Sequence, residues 1–107
     1  MKIEQYRIAI VNLDPTVGSE IRKTRPCVIV SPDEINRQLR TVTVVPVTSS
    51  SRAYPTRVSV ALQSKNSWVA IDQIRTIDKA RITKVASRLS ADEIARIKDV
   101  IKETFVD

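Results

Sequence analysis

The chain has 107 residues, 42% of them hydrophobic, so it is long enough to bury the core of one compact domain and too short for two. Its single cysteine excludes an intrachain disulfide, and the absence of histidine removes the commonest acid–base catalyst near neutral pH and the commonest transition-metal ligand. The formal net charge of +6 is uneven: residues 1–89 hold 15 Lys and Arg against 7 Asp and Glu, whereas residues 90–107 hold 3 against 5. A basic face favours a polyanion such as nucleic acid as partner; the alternative is a merely soluble surface.

The chain shows no sign of a targeting or membrane segment. No apolar stretch approaches the roughly 20 residues of a membrane-spanning helix, and residues 1–6 lack the basic and apolar regions of a signal peptide. We therefore expect a cytoplasmic protein that does not bind a membrane. We also expect a single domain over residues 1–107, because no internal repeat, low-complexity segment or linker interrupts the sequence.

Five short segments have the composition of β-strands. They are rich in β-branched and apolar residues and end at turn residues, which predicts strands over 7–13, 27–30, 41–47, 57–62 and 67–71. Several short strands in succession are typical of a small barrel. Pro46 lacks an N–H, so we expect it at a sheet edge, a bulge or the last turn of its strand. Trp68 lies within an apolar strand, which favours core packing over stacking on an unpaired base.

Two segments have helical patterns. Residues 33–38 follow a proline and predict a short helical turn. Near the C-terminus, Ser90 and Glu93 form a capping box, and Leu89 and Ile94 fit the hydrophobic staple that precedes a helix. The apolar face of this helix is expected to pack on the barrel or across a dimer, and it consists of Ile94, Ile97, Ile101, Thr104 and Phe105. The patterns together predict a mainly β domain with a C-terminal α-helix.

Polar side chains gather at the ends of two predicted strands. Residues 18–30 place Gly18 and a cluster of cations directly before an apolar strand, and Gly18 is the only glycine in the chain. A backbone position that needs positive φ or a close approach is therefore expected there. Residues 44–51 place an apolar strand before a cluster of hydroxyls. The sequence thus presents a cation and a hydroxyl at two strand ends.

These motifs, in their order and approximate spacing, resemble the MazF/PemK family, the ribonuclease toxins of bacterial toxin–antitoxin systems. The resemblance spans most of the chain and rests on an ordered set: Asn12-Leu13-Asp14-Pro15, Gly18-Ser19-Glu20, Arg25-Pro26, Ser31-Pro32 with Asn36, Pro46-Val47-Thr48, Tyr54-Pro55 and Asp72-Gln73-Ile74-Arg75-Thr76-Ile77-Asp78. It implies an SH3-like barrel, a homodimer, and a cognate antitoxin with a disordered acidic segment as partner. Some members place an arginine and a histidine where this chain has Ala70 and Ser19, so catalysis that depends on either is not available here.

The resemblance also implies a catalytic site at Arg25 and Thr48. It implies cleavage of single-stranded RNA, mRNA in particular, to 2′,3′-cyclic phosphate and 5′-hydroxyl ends, which inhibits translation. RNA supplies its own nucleophile in the 2′-hydroxyl, so neither a cofactor nor a metal is expected, and a guanidinium suits the stabilisation of a phosphorane. Glu20 is a candidate proton acceptor; the alternative is an ion pair that orients Arg25.

Further residues are expected to contact the RNA. The hydroxyls of Thr48 and Ser49 have an alternative role as turn caps. Asp72 and Gln73 suit base edges, and a strand-end hydrogen bond to the loop of Arg75 is the alternative. For Asn36 and Tyr54 structural support is favoured. The substrate-binding candidates are Ser19, Arg22, Lys23, Ser49, Asp72 and Gln73.

Two other classes of protein would share the basic face. One is a non-catalytic barrel that binds RNA, and the other is an interaction module whose groove binds an acidic peptide. Arg25 and Thr48 in the matched positions favour the enzyme. The sequence does not define the RNA target.

Overall fold

The computed structural model describes residues 2–13, 24–49, 54–62 and 65–106. Within these ranges the chain forms seven strands: β1 Arg7–Asn12, β2 Thr24–Ile29, β3 Thr41–Thr48, β4 Arg57–Leu62, β5 Lys65–Ala70, β6 Arg75–Asp78 and β7 Ile82–Arg88. The helices are α1 Asp33–Gln38, the 3₁₀ helices Ile71–Gln73 and Lys79–Arg81, and α2 Ala91–Ile101, which continues into a π-helical turn, Lys102–Val106. Among the described residues, no helix combines the length and apolar composition needed to cross a membrane.

The strands pair antiparallel in the order β4-β5-β3-β2-β1-β7, and β6 pairs with β3 beside this path. The sheet curls into a half-barrel. Strands β4 and β7 are the two ends of the order, and over the described ranges no pairing joins them. The prediction of a mainly β barrel-type domain with a C-terminal helix is confirmed, and the barrel is open between β4 and β7.

The two faces of the sheet carry separate apolar clusters, because successive side chains of a strand point to opposite faces. In β2, Val28 belongs to the cluster that contains Ile94 and Ile97 of α2, whereas its neighbours Cys27 and Ile29 belong to the other. Helix α2 therefore closes one face of the half-barrel.

Pro46 lies where β3 changes its partner strand. The pairs of β3 with β6 end at Val44, and its pairs with β5 begin at Val47. On its other side Pro46 is opposite Cys27 of β2. The expectation of an edge, a bulge or a last turn is wrong, since β3 lies inside the sheet. The missing N–H of Pro46 is tolerated because the pairing with β6 has ended at this position and the pairing with β5 has not yet begun.

Helix α2 begins as its sequence predicts. The Ser90 N–H donates to Glu93 Oε1 at 2.9 Å and the Glu93 N–H donates to Ser90 Oγ at 3.2 Å, which confirms the capping box. Ile94 and Ile97 are buried, which confirms that this part of the face packs on the sheet. Phe105 is 52% exposed in the single chain, so it does not pack on the barrel, and its packing across a dimer stays a prediction. The π-helical turn after Ile101 changes the angle between successive side chains, and the apolar stripe ends there.

Candidate active site

The register of β2 and β3 brings Arg25 and Thr48 together. Cys27 is opposite Pro46 in this antiparallel pair. The β2–β3 pairs end there, and Arg25 and Thr48 are each two residues further along, towards the same end of the sheet. Alternation puts both side chains on the face that Cys27 and Pro46 share. The cation and the hydroxyl that the sequence presents at two strand ends therefore meet at one place.

Arg25 and Thr48 line an open cavity of about 410 Å³. We call it the strand-end cavity; its other described lining residues are Pro26, Val47, Ser49, Leu62, Lys65 and Ser67. The structure thus brings together three of the predicted site residues, Arg25, Thr48 and Ser49. It adds Lys65 and Ser67 of β5, which sequence analysis missed because only the pairing of β5 with β3 and β4 shows that they reach this cavity.

The strand-end cavity is electropositive. Arg25 and Lys65 are both exposed, and among the described lining residues there is no Asp or Glu. Neither cation forms an ion pair with another described residue. Two cations that face one cavity without a carboxylate are complementary to an anion such as phosphate.

Hydroxyl groups complete the polar lining. Thr48 is half-buried, Ser49 is exposed and Ser67 is buried, so three hydroxyls stand at different depths of the cavity. A hydroxyl donates or accepts a hydrogen bond and therefore suits both phosphate and ribose oxygens. Among the described lining residues there are two cations and no carboxylate, imidazole or thiolate, so this donor set fits an anionic substrate better than a metal ion.

Cys27 is next to the site but has the properties of a core residue. Its side chain is fully buried. Burial raises the pKa of its thiol, and the charges of Arg75 and Arg25 offset only part of this effect, which leaves the pKa at about 11. The thiol is therefore protonated near neutral pH and is not a nucleophile.

Asp72 and Gln73 lie in the 3₁₀ helix after β5 and do not line the strand-end cavity. Arg57 donates from Nε to Asp72 Oδ1 at 3.1 Å and from Nη2 to Asp72 Oδ2 at 3.3 Å, and its guanidinium lies 5.6 Å from the centre of the Tyr54 ring. Partial burial raises the pKa of Asp72. Hydrogen bonds from Thr56, the backbone and Arg57, together with the charge of Arg57, lower the pKa by more than burial raises it, so the net shift is downward. Asp72 is thus an oriented, ionised carboxylate at a second position.

Two further expectations have different outcomes. Trp68 is half-buried and belongs to neither apolar cluster, so its predicted core packing is wrong. It is opposite Thr48 in the β3–β5 pair, whereas the buried Val69 beside it points to the other face. Asn36 is buried and donates from Nδ2 to the Ser31 carbonyl oxygen at 2.9 Å, in agreement with structural support.

Several site predictions fall outside the described residues. These are Ser19, Glu20, Arg22 and Lys23, together with the positive φ expected at Gly18. Their roles stay predictions.

Comparison with known proteins identifies similar toxins. The profile of the family described as "PemK-like, MazF-like toxin of type II toxin-antitoxin system" matches residues 4–105. The chain is 35% identical over 102 residues to the endoribonuclease MazF9 of Mycobacterium tuberculosis, covering 86% of each protein, and 36% identical over 109 residues to the endoribonuclease PemK of Escherichia coli, covering 92% of this chain and 82% of PemK. An endoribonuclease solved in complex with its cognate antitoxin, from a mycobacterial species, has the same fold, with a TM-score of 0.82 at 19% identity over 96% of this chain and 94% of that one.

Proposed function

We propose, from the premise that this chain belongs to the PemK-like, MazF-like toxin family of type II toxin–antitoxin systems, that residues 1–107 are a single-domain endoribonuclease toxin. The proposed substrate is single-stranded RNA, mRNA in particular, and the reaction uses neither a metal nor a cofactor. The observation that carries the proposal is the presence of Arg25 and Thr48 in one electropositive cavity. Two relatives of the chain, MazF9 of Mycobacterium tuberculosis and PemK of Escherichia coli, are named endoribonucleases.

The reaction that we propose is attack by a ribose 2′-oxygen on the adjacent phosphorus. The 2′-oxygen forms a bond to phosphorus, the bond from phosphorus to the 5′-oxygen breaks, and the 2′-proton is lost while the leaving oxygen gains one. The products are a 2′,3′-cyclic phosphate and a free 5′-hydroxyl. Arg25 binds the non-bridging oxygens of the phosphorane and Thr48 donates a hydrogen bond to the same group, so both stabilise charge that develops in the transition state.

Other residues have proposed supporting roles. Glu20 either accepts the 2′-proton or orients Arg25. The cations Arg22 and Lys23 and the hydroxyls of Ser19 and Ser49 bind the RNA backbone. Asp72 and Gln73 read base edges, because a carboxylate accepts from exocyclic amines whereas an amide both donates and accepts.

The proposed biological partners are an antitoxin and a second copy of the chain. A basic groove suits coupled folding and binding of the disordered acidic segment of a cognate antitoxin, which would compete with RNA. The similar mycobacterial endoribonuclease was solved with its antitoxin. We also propose that the toxin is a homodimer and acts in the cytoplasm, where its mRNA substrate is translated.

The test is cleavage of a long single-stranded RNA in excess EDTA, with fragment ends mapped. Arg25→Ala is compared with Arg37→Ala, which removes an exposed arginine of α1. We expect discrete cuts with cyclic phosphate and 5′-hydroxyl ends, lost in Arg25→Ala by about 10²-fold or more and retained in Arg37→Ala. Full cleavage by Arg25→Ala would contradict the catalytic assignment, and intact RNA bound by the wild-type protein would identify a non-catalytic binding domain.

A further inference from the structure

An open groove separates the two end strands of the sheet. It lies between β4 and β7, which no pairing joins within the described ranges, and its volume is about 560 Å³. We call it the seam groove; its lining includes Ile8, Ile10, Pro26, Leu62, Lys84 and Arg88. The floor is thus apolar, and cations stand along the β7 side.

The seam groove continues from the strand-end cavity. Pro26 and Leu62 line both, so the two spaces share these side chains as a common wall. A polymer that places one group beside Arg25 and Thr48 therefore has only Pro26 and Leu62 to cross before it reaches the seam groove. The seam groove is accordingly positioned to contact whatever is covalently attached to the group in the strand-end cavity.

The charges in the seam groove favour an anionic occupant. Lys84 and Arg88 are exposed, and neither forms an ion pair with another of the described residues. Arg88 also lines an adjoining cavity that contains Glu4 and Asp33, so Lys84 is the cation that belongs to the seam groove alone. The described lining includes one carboxylate, that of Glu93, which already accepts from the Ser90 and Ala61 backbone N–H groups. Glu93 therefore offsets at most one of the two positive charges, and the described lining keeps an excess of positive charge.

We propose that the seam groove binds the nucleotides on one side of the cut, with bases against Pro26, Leu62 and the neighbouring isoleucines. Lys84 and Arg88 bind the phosphates that join these nucleotides. Aliphatic side chains offer a surface for the apolar faces of bases, and lysine and arginine bind phosphate by charge-assisted hydrogen bonds. This inference rests on the proposed endoribonuclease function.

A peptide is a less suitable occupant, because the β4 edge is closed to strand addition at two positions. Arg96 Nη1 donates to the Ser59 carbonyl oxygen at 2.7 Å, and the Ala61 N–H donates to Glu93 Oε2 at 2.9 Å. An extended peptide binds a sheet edge mainly through such backbone groups. At Ser59 and Ala61 these backbone groups are already hydrogen-bonded to side chains of α2.

The experiment measures the cleavage of synthetic RNAs around a mapped cut site. One RNA extends equally on both sides of the cut, and two others are truncated on one side or the other. The variant is Lys84→Ala/Arg88→Ala, and the matched control is Arg37→Ala/Arg40→Ala, which removes two exposed cations that line neither cavity. Thermal unfolding confirms that each variant is folded.

We expect the seam variant to raise KM for the full RNA by about tenfold with little change in kcat, because its contacts are present before and during the reaction. The slope of log KM against log salt should fall by about 1.4 for two lost phosphate contacts on a single strand. Truncation on the seam side should bring variant and wild type to equal activity, whereas truncation on the other side should preserve their difference.

If the ratio of the variant's KM to the wild-type KM is the same for the full RNA and both truncated RNAs, the seam groove does not bind the nucleotides beside the cut. The proposed endoribonuclease function would be unaffected by that result. Unchanged cleavage combined with altered sedimentation would overturn the seam assignment as well and identify the seam groove as an interface between copies. If the wild-type protein cuts none of the RNAs, the proposed function itself fails.

Discussion

The Glu93 carboxylate joins α2 to the edge of the sheet: its Oε2 accepts the Ala61 N–H of β4 at 2.9 Å, while its Oε1 accepts the Ser90 N–H at 2.9 Å. One side chain therefore caps the helix and satisfies an edge strand. We expect Glu93→Ala to lower the free energy of unfolding by about 1–2 kcal/mol, because it removes the capping box and the bond to β4 together. Urea unfolding measures the change.

The control for this prediction is Glu103→Ala, which removes an exposed carboxylate from the π-helical turn after α2. We expect its unfolding midpoint to match that of the wild type, because surface substitutions away from such contacts have small effects. Equal midpoints for Glu93→Ala and Glu103→Ala would show that the bond to Ala61 does not stabilise the fold.

The same contacts predict how stability depends on pH. Partial burial raises the pKa of Glu93. Hydrogen bonds from the Ser90 and Ala61 backbones and from the Ser90 side chain, together with the charge of Arg96, lower the pKa by more than burial raises it. The folded-state pKa thus lies below the ordinary value of 4.5. The contribution is present above that value and is lost as the pH falls through the folded-state pKa.

We therefore expect the unfolding midpoint of the wild-type protein to fall as the pH is lowered below 4.5, with a smaller decrease in Glu93→Gln. The amide cannot be ionised, so it removes this group from the titration. Thermal unfolding from pH 7 downwards measures both curves. Parallel curves would assign the acid sensitivity to other carboxylates, Asp72 among them, whose pKa is also lowered.

Sequence and structure agree where local signals determine the result. The segments 33–38 and 57–62 and the capping box were predictable from turn residues, alternation and side-chain spacing. Strands β6 and β7 were not, because β6 has four residues and β7 pairs with β1 through two register shifts that interrupt its alternation. The sequence predicts Trp68 in the core because an apolar run does not show which face of the sheet each side chain takes.

The candidate site was predictable to a different extent. The positions of Arg25 and Thr48 came from family resemblance, and the β2–β3 register gives the physical reason that they meet. Lys65 carried no signal, because a lone lysine before a strand has the same appearance whether it faces solvent or a cavity. Only the three-dimensional pairing of β5 places it beside Arg25.

Lys65 is expected to bind substrate phosphate in the strand-end cavity. We expect Lys65→Ala to reduce kcat/KM for RNA cleavage by about tenfold, and Lys65→Arg to retain most of the activity because it preserves the charge. The control, Lys102→Ala, removes an exposed cation from the far end of α2. Equal loss in Lys65→Ala and Lys102→Ala would indicate a general effect of net charge and not a contact in the cavity.

Asp72 is expected to affect which sequences are cut. Arg57 holds its carboxylate in one orientation, so the remaining oxygen lone pairs point in fixed directions. Asp72→Asn replaces an acceptor by a group that also donates, and we expect a changed base preference. We also expect a loss of stability on the order of 1 kcal/mol, because the Arg57 side chain, only 13% exposed, loses its charged partner. Mapping of cut sites on one long RNA measures the preference, and an unchanged set of sites would remove Asp72 from base recognition.

Cys27 provides a test of the roles assigned at the strand end, because it is the chain's one thiol and lies opposite Pro46 on the face that Arg25 and Thr48 share. With a pKa of about 11, roughly one thousandth of the thiol is ionised at pH 8. We expect an aromatic disulfide reagent to leave the native protein unlabelled at pH 8 and to label it fully in denaturant, and we expect Cys27→Ala to cleave RNA as the wild type does. Rapid labelling of the native state would mean that the thiol is accessible and ionised more readily than its burial predicts. Loss of cleavage in a folded Cys27→Ala variant would mean that the reaction depends on the thiol as well as on Arg25 and Thr48.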